Sequence, residues 1–565
     1  MILRTWDIET TEWNKFKVGS VYDGNKGYIC NSLQEIVETM KRLGGTFYAH
    51  YGGGFDNLFL LEHLKQYKVR WKNINSKLVH ISVYYNNSKK KLFELKDSYP
   101  ILPLSLEVLA QNFLGRGKKK IDRKKIHTYS KEVLEEYVLD DSILLYEVIT
   151  IFLKKTEKEK LELTIASDSK KEFKKTYNYK LLEVPAVFDS YFREAFSGGR
   201  VEVFQRYGKN LYHRDVKSMY ASMMDKHEYP AGYCVLTSEY KEGSLGIYRC
   251  EIESPKKLDI PFLHTYAKDG KIIFPLGNWS GTYTSAEIEK AISIGYKIKI
   301  IDGYYFTLKE RPFKNYIKKW YDIKQESENK GDKALRLIAK LYLNSLFGKL
   351  GQRRKFQKII SKTAPMSYYM KKYGSIKDYL PEINAVVVDE ESTSKFTTVH
   401  VACFITAYSR ITLYEGMELI QSKGGTVYYC DTDCIITNLD LPTGKKLGDW
   451  DLENESPIKE GIFIFPKFYG YVMEDGTNTI RHKGLSGKNE KGFEKYTMDD
   501  YKRALFKHDF SVFSEEWDGI ASILECKQRH IKHLSVIQKS RKVTNQFTKR
   551  LILDNYNTVP LIIGE

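Results

Sequence analysis

Cysteine is scarce, with seven residues in a chain of 565 (30, 234, 250, 403, 430, 434 and 526). None forms a Cys-x-x-Cys pair, and seven are too few to staple a chain of this size. A disulfide framework is therefore excluded, and a reduced, cytoplasmic protein is expected. No apolar run approaches the ~18 residues that a membrane span needs. The opening Met1-Ile-Leu-Arg-Thr-Trp-Asp7 lacks the pattern of a secretory signal. Neither an internal repeat nor a low-complexity segment occurs. Global disorder is excluded by a 42% hydrophobic and 14% aromatic composition. Acid is the charge in deficit: 72 Asp and Glu face 90 Lys and Arg, a formal net charge of +18. That excess points to a polyanionic partner, nucleic acid first and an anionic membrane far behind. Charge kept for solubility alone is the plainer alternative.

At roughly 100–200 residues per domain, the length suggests three to five units. The first third alternates strand and helix signals. A buried strand is read at 2–6, and a helix at Ser32–Leu43 with Ser32 and Glu35 as a capping box and Gly44-Gly45 as its end. Thr46–His50 reads as the next strand. Leu78–Tyr85 and Leu92–Lys96 read as a hairpin, turning at Asn86-Asn87. A long helical pattern runs from Ser130 to about Lys155. The charged stretch Lys154–Lys180 has little strand character and is taken as a boundary. Mixed signals continue from Pro185. The basic run Lys527–Lys542 reads as a solvated helix face or a nucleic-acid grip.

Asp7-Ile8-Glu9 closes the first strand. Residues two apart on a strand point the same way, so both carboxylates can face one cleft. The spacing alone is weak, because Asp389–Glu391 and Asp451–Glu453 repeat it and such pairs are mostly solvated surface. Context strengthens it. Phe55-Asp56 follows a turn of three glycines at a strand-to-helix junction. Tyr137 and Asp141 share a helix face that Leu134 and Leu144 turn inward. Asp7, Glu9, Asp56 and Asp141 together are the acids that two-metal phosphodiester hydrolysis needs, with Tyr137 orienting the water.

A second acidic set follows. Thr426-Val-Tyr-Tyr-Cys-Asp431-Thr432-Asp433-Cys434-Ile-Ile reads as two apolar strands joined by a tight acidic turn. Flanked by aromatic and β-branched residues, the acids are buried enough to need a cation. Cys430 and Cys434 suit no zinc pattern and read as packing. Tyr212-His-Arg-Asp215-Val216 supplies another Asp at a strand end. Asp215, Asp431 and Asp433 could jointly hold two Mg²⁺ for in-line nucleotidyl transfer. The helix Lys333–Lys349 places Arg336, Lys340, Asn344 and Phe347 on one face, with Gly348 at its edge. Cations for phosphates and a flat ring for a base suit a nucleoside triphosphate. A plain amphipathic helix is the bland alternative.

In order and spacing these motifs resemble the protein-primed family B DNA polymerases of small bacteriophages, linear plasmids and adenoviruses, over nearly the whole chain. The Asp-Thr-Asp hairpin with Lys340-x3-Asn344-Ser345-Leu-Phe347-Gly348 is the most specific pair. The resemblance implies an α/β multidomain fold: an RNase H-like 3′–5′ exonuclease domain, then a polymerase right hand of palm, fingers and thumb with two insertions. It implies exonuclease metal ligands at Asp7, Glu9, Asp56 and Asp141, catalytic roles for Lys118 and Tyr137, and single-strand contacts at Phe55 and Ser98. In the polymerase it implies metal ligands at Asp215, Asp431, Asp433 and the Val216 carbonyl. Tyr220, Lys340, Asn344 and Phe347 would bind the dNTP. DNA contacts would fall to Ser218, Ser345, Gly348, Thr406, Arg410, Lys467, Tyr469 and Lys483, and Ser197-Gly198-Gly199 would pass the primer between sites. Two Mg²⁺ per active site are implied, with Mn²⁺ as substitute.

The implied division is 1–160 exonuclease, 161–225 linker and first part of the palm, 226–325 first priming insertion, 326–348 fingers, 349–400 second insertion, 401–485 palm and 486–565 thumb. Some positions depart from the pattern: Tyr51 replaces Asn, Ala221 Pro, Phe347 and Phe196 Tyr, and Cys434 Ser. None removes a metal ligand. The expected protein is a monomeric DNA polymerase with proofreading and strand displacement. Its partners would be template-primer, single-stranded 3′ ends, dNTPs and a terminal protein whose hydroxyl replaces a primer. A family B polymerase using ordinary primers, or a catalytically weak DNA-binding relative, are the competing readings.

Overall fold

A computed structural model describes residues 3–74, 77–85, 89–353, 355–381, 384–391, 394–486, 494–532, 534–543, 547–554 and 556–564. The first third builds a seven-stranded mixed sheet from β1 (Leu3–Thr11), β2 (Lys15–Tyr22), β3 (Gly27–Cys30), β4 (Gly45–Ala49), β5 (Lys68–Ile74), β6 (Lys77–Tyr84) and β7 (Lys91–Asp97). Their spatial order is β3-β2-β1-β4-β7-β6-β5. The pairs β1–β4 and β4–β7 are parallel, the rest antiparallel. The anticipated strand at 2–6 therefore runs on to Thr11. Glu9, Thr10 and Thr11 pair with Val18, Phe16 and Lys15 across a bulge, which puts Asp7 and Glu9 inside the strand rather than at its end.

Helices α1 (Leu33–Leu43), α2 (Asp56–Leu64), α3 (Leu106–Leu114), α4 (Lys131–Lys155) and α5 (Ile165–Thr176) complete this part. Local chemistry sets their ends. The Ser32 hydroxyl accepts from the Glu35 N–H, and Gly44 at φ 65° stops α1. The Glu35 carboxylate accepts from the Asn31 N–H, so only half of the expected capping box forms. Ser130 caps α4 by accepting from the Val133 N–H. The Asn86-Asn87 turn between β6 and β7 lies outside the described residues.

Beyond α5, the main sheet is built on strand Tyr207–Val216, flanked by Cys434–Thr437 on one side and Ile458–Phe465 on the other. Helix Val399–Ser422 packs on Cys434–Thr437 and helix Met498–Phe506 on Ile458–Phe465. A separate antiparallel sheet takes Tyr229–Thr237, Lys297–Glu310, Gly246–Glu253 and Leu276–Thr284. Strands Lys355–Ser361, Ala385–Glu391 and Ile376–Leu380 form a small sheet whose Ile359 and Val387 join the core under the first sheet.

The stretch Lys154–Lys180, taken as a boundary, carries α5, with Ile165 and Phe173 in the main core. One expectation changes here. The basic run near the end forms a short helix, Ile523–Gln528, then strand Val536–Lys542, paired with Ser514–Ile520. Its side chains at 536–542 are mostly exposed, on a strand rather than a helix face. The Lys527 side chain and residue 533 lie outside the described residues.

Candidate active sites

The first site opens on a cleft of about 1050 Å³ bounded by Asp7, Glu9, Asp56, Asp141, Lys118 and Phe55. Strand β1 presents Asp7 and Glu9 on one face. The first turn of α2 supplies Asp56, and the inward face of α4 supplies Asp141. Carboxylate oxygens of Asp7, Glu9 and Asp141 lie within 4.8 Å of one another. Three like charges at that spacing in a low-dielectric wall resist ionisation. Burial, then Asp56, Asp141 and Glu9, hold Asp7 well above the usual carboxylate range. Burial, then Asp97 and Glu9, push Asp56 up to about 7. Lys118 offsets part of this, with its Nζ 2.5 Å from Asp141 Oδ2 and 5.5 Å from the Tyr137 ring. Burial lowers the Lys118 ammonium, but Asp141 and Asp7 outweigh it and hold it above its usual value. An all-oxygen donor set with excess negative charge fits a hard divalent cation such as Mg²⁺ or Mn²⁺.

The surroundings differ from the expectation at one residue. Ser98 is fully buried, and its hydroxyl meets His50 Nδ1 at 3.0 Å and the Ala49 carbonyl at 3.2 Å. It lies beneath the cleft and braces His50, which lines it, instead of facing a DNA strand. Aromatic side chains at the cleft include Trp13, Tyr51, Phe55 and Tyr99. Tyr51 holds φ 66°, a left-handed conformation that Asn tolerates better. Its ring lies 3.9 Å from Lys77 Nζ and edge-on to Tyr99. Asp97 fixes this loop by accepting from the Tyr51, Gly53 and Tyr99 N–H groups. No sequence signal separated Asp97 from an ordinary strand-end acid.

The second site sits on the main sheet. Asp215 is the penultimate residue of strand Tyr207–Val216 and faces Cys434 across the pair. Asp431 and Asp433 flank Thr432, which turns the hairpin at φ 60°. The Val216 N–H donates to the Asp433 carbonyl at 2.8 Å, tying the two segments together. Burial, then Asp433, Glu453 and Asp451, push Asp215 up to about 7. Burial and Asp431 push Asp433 up to about 6. The three acids are not equivalent. Lys467 Nζ grips both Asp431 oxygens at 2.8 and 2.7 Å, whereas no cation of the described residues pairs with Asp215. Oxygen donors with raised pKa values again fit divalent cations. Glu453, read from sequence as solvated surface, is exposed as expected, yet its charge helps raise Asp215; the repeated Asp-x-Glu spacing was its only signal.

Helix Lys333–Leu350 borders this site. Arg336, Lys340, Asn344 and Gly348 are exposed, while Ser345 bonds back to the Leu341 carbonyl. Phe347 stacks on Tyr220 at 4.4 Å and 17°. Ser218, at φ 54°, precedes the helix that carries Tyr220. On the other side, Lys467, Tyr469 and Lys483 line a groove of about 660 Å³ with Asp431. Ser197-Gly198-Gly199 abuts the acidic turn. The Thr432 N–H donates to the Arg200 carbonyl, and a Cβ on Gly199 would meet Thr432 at 2.7 Å, so only glycine fits there.

Thr406 and Arg410 lie elsewhere than expected. Helix Val399–Ser422 is buried around most of its circumference. The Thr406 hydroxyl bonds its own helix at Cys403. The Arg410 guanidinium pairs with buried Glu287 at 2.7 Å and donates to the Ser197 and Gly198 carbonyls. Neither is presented to a template; Arg410 instead anchors the glycine loop.

Residues 116–419 match the family model of DNA polymerase type B, organellar and viral. A probable DNA polymerase of Podospora anserina is 32% identical over 321 residues, 50% of this chain and 26% of that protein. The DNA polymerase of Bacillus phage PZA is 26% identical over 538 residues, covering 86% of this chain and 87% of its own. The chain spans 26% to 57% of the length of the fungal relatives at the head of the comparison. The structure of phi29 DNA polymerase with primer-template DNA and incoming nucleotides superposes with a TM-score of 0.73. It has 20% identity and covers 96% of this chain and 100% of that one. Among the described residues, no helix is long and apolar enough to cross a membrane.

Proposed function

Because the chain belongs to the organellar and viral DNA polymerases of type B, we propose that it is a template-directed DNA polymerase with a separate 3′–5′ exonuclease site, started by protein priming and capable of strand displacement. The observation that carries this reading is two carboxylate sites on two sheets, each with acids pushed toward neutrality. Asp215 and Asp433 would hold two Mg²⁺ in the polymerase, and Asp7, Glu9, Asp56 and Asp141 two in the exonuclease. Such ions, when bound, activate the attacking oxygen and neutralise the leaving one.

The chain's own groups do the rest. The Tyr220–Phe347 stack forms a flat floor under the incoming sugar, where a 2′-hydroxyl would collide. Lys340 and Arg336 offer cations to the triphosphate, and Asn344 an amide to the nascent pair. Lys467 orients Asp431 beside the primer groove, with Tyr469 and Lys483 along the same wall. In the exonuclease, Lys118 holds Asp141 in place and Phe55 wedges against the last base. The seven free thiols fit a reducing cytoplasm.

Asp433→Ala should abolish primer extension and spare degradation of a single-stranded 3′ end. The double change Asp7→Ala with Glu9→Ala should do the reverse. Loss of both activities in either variant would falsify the two-site assignment. Priming is tested by mixing the chain with a small basic protein encoded beside it, labelled dATP and Mg²⁺. Covalent label on that protein supports protein priming; label only on DNA extended from an oligonucleotide leaves the ordinary-primer reading.

A further inference from the structure

We infer that Tyr342 is a positioning residue for the nucleotide pocket, held by a buried ionic clamp built from residues that follow α4. The inference rests on the reading of helix 333–350 as the nucleotide-binding helix. Tyr342 lies two residues after Lys340 and two before Asn344. At 100° per residue it points about 200° away from both, so it occupies the opposite face. Lys340 and Asn344 are exposed, whereas Tyr342 has no exposed surface.

The inward face is tied down at three points. The Tyr342 hydroxyl donates to Asp168 Oδ2 at 2.5 Å and accepts from Lys158 Nζ at 2.5 Å. Lys158 also pairs with Asp168 Oδ1 at 2.5 Å, and Asp168 is 1% exposed. The Tyr342 ring stacks on Trp320 of helix Lys314–Asn329 at 4.0 Å and 9°. Its carbonyl accepts from the Tyr316 hydroxyl at 2.9 Å. At the start of the helix, Asp332 caps the Leu335 N–H and pairs with Lys155, the last residue of α4. Glu172 completes the cluster, pairing with Lys175 and Lys319 on its solvent side.

A buried lysine, tyrosine and aspartate cost desolvation and add little net stability. What they supply is geometry, because three directional bonds of fixed length admit one roll of the helix. A helix with its side chains has a radius of about 5–6 Å, so a 10° roll moves a side chain on the far face by roughly 1 Å. Displacements of that size cost up to ~100-fold in a reaction that depends on alignment. Lys340, Asn344 and Phe347 would all shift together.

The test is Tyr342→Phe, which removes one hydroxyl, keeps the ring on Trp320 and leaves the Lys158–Asp168 pair intact. Steady-state extension should show KM for dNTP raised about 10-fold, with kcat changed less. The Kd for primer-template and the melting temperature should stay near those of the unmodified chain. An unchanged KM while the unmodified chain extends primers overturns the proposal, and so does a parallel loss of DNA affinity and melting temperature, which marks a merely structural role. Absence of extension by the unmodified chain overturns the polymerase reading and, with it, this inference.

Discussion

Single residues carry most of the chemistry, and their burial decides which role they can take. His400 illustrates how sharply. It has no exposed surface, stacks on Phe306 at 4.8 Å and 15°, and neither ring nitrogen has a hydrogen-bond partner among the described residues. Burial alone pushes its pKa down to about 3. The unfolded chain therefore binds a proton near pH 6.5 that the folded chain refuses until about pH 3. Stability contributed by neutral His400 is complete above pH 6.5 and is lost as pH falls through that window. Between pH 8 and pH 5 the loss is about 2 kcal/mol. His400→Phe keeps a flat ring against Phe306 and removes the proton site. Chemical denaturation at both pH values should show the acid penalty reduced by about that amount in the variant. An equal pH dependence in the two proteins would show that His400 finds a partner in solution.

Elements explain what the sequence displays and what it hides. Helices α1 and α4 were legible because their signals are local: Ser32 and Ser130 as caps, Gly44 as stop, and the apolar spacing between. The acidic hairpin was legible for the same reason, since two short apolar strands around Asp-Thr-Asp have one way to turn. The acids of the first site came into view together because strand and helix periodicity place each on an inward face. Thr406 and Arg410 were not legible as core residues. The resemblance assigned them to DNA although their helix holds only three charged residues, Arg410, Glu415 and Glu418, and only packing shows that Arg410 meets Glu287. Glu287 itself also closes the capping box of helix Ser285–Ile294 by bonding Thr284. Breaking such a pair leaves a charge stranded without solvent, which costs about 3–5 kcal/mol. Arg410→Met should lower the denaturation midpoint by that equivalent and loosen Ser197-Gly198. Hydrogen exchange at the glycine loop should rise in step. An unchanged midpoint would mean that water reaches Glu287.

At the scale of the whole molecule, the core does not respect the boundary drawn near residue 160. One apolar cluster runs from Leu109 and Phe113 of α3 and Phe152 of α4, through Phe173 of α5, to Met219, Ile338 and Leu346. Helix α3 packs against both α4 and helix 333–350. The first sheet has its own core around Trp6, Ile36 and Phe59, yet its outer helices are completed by residues that come much later in sequence. Periodicity could show that α3 and α4 each have an apolar face, but not which later segment covers it. Cutting the chain at residue 160 would uncover Leu109, Phe113, Val148 and Phe152, all at most 8% exposed in the intact chain. At roughly 1.5–3 kcal/mol for each large apolar side chain, the loss is about 6–12 kcal/mol. That equals the entire stability of an ordinary domain, about 5–15 kcal/mol. A fragment of residues 1–160 should therefore bind hydrophobic dyes, self-associate and, on the proposed function, degrade single-stranded DNA poorly despite holding all four acids of the first site. A monomeric fragment that melts cooperatively and degrades DNA at the full rate would show that this part of the chain folds alone. The expected failure means that the helix carrying Asp141 and the helix carrying Lys340 share one core, so packing changes at either are felt by both sites.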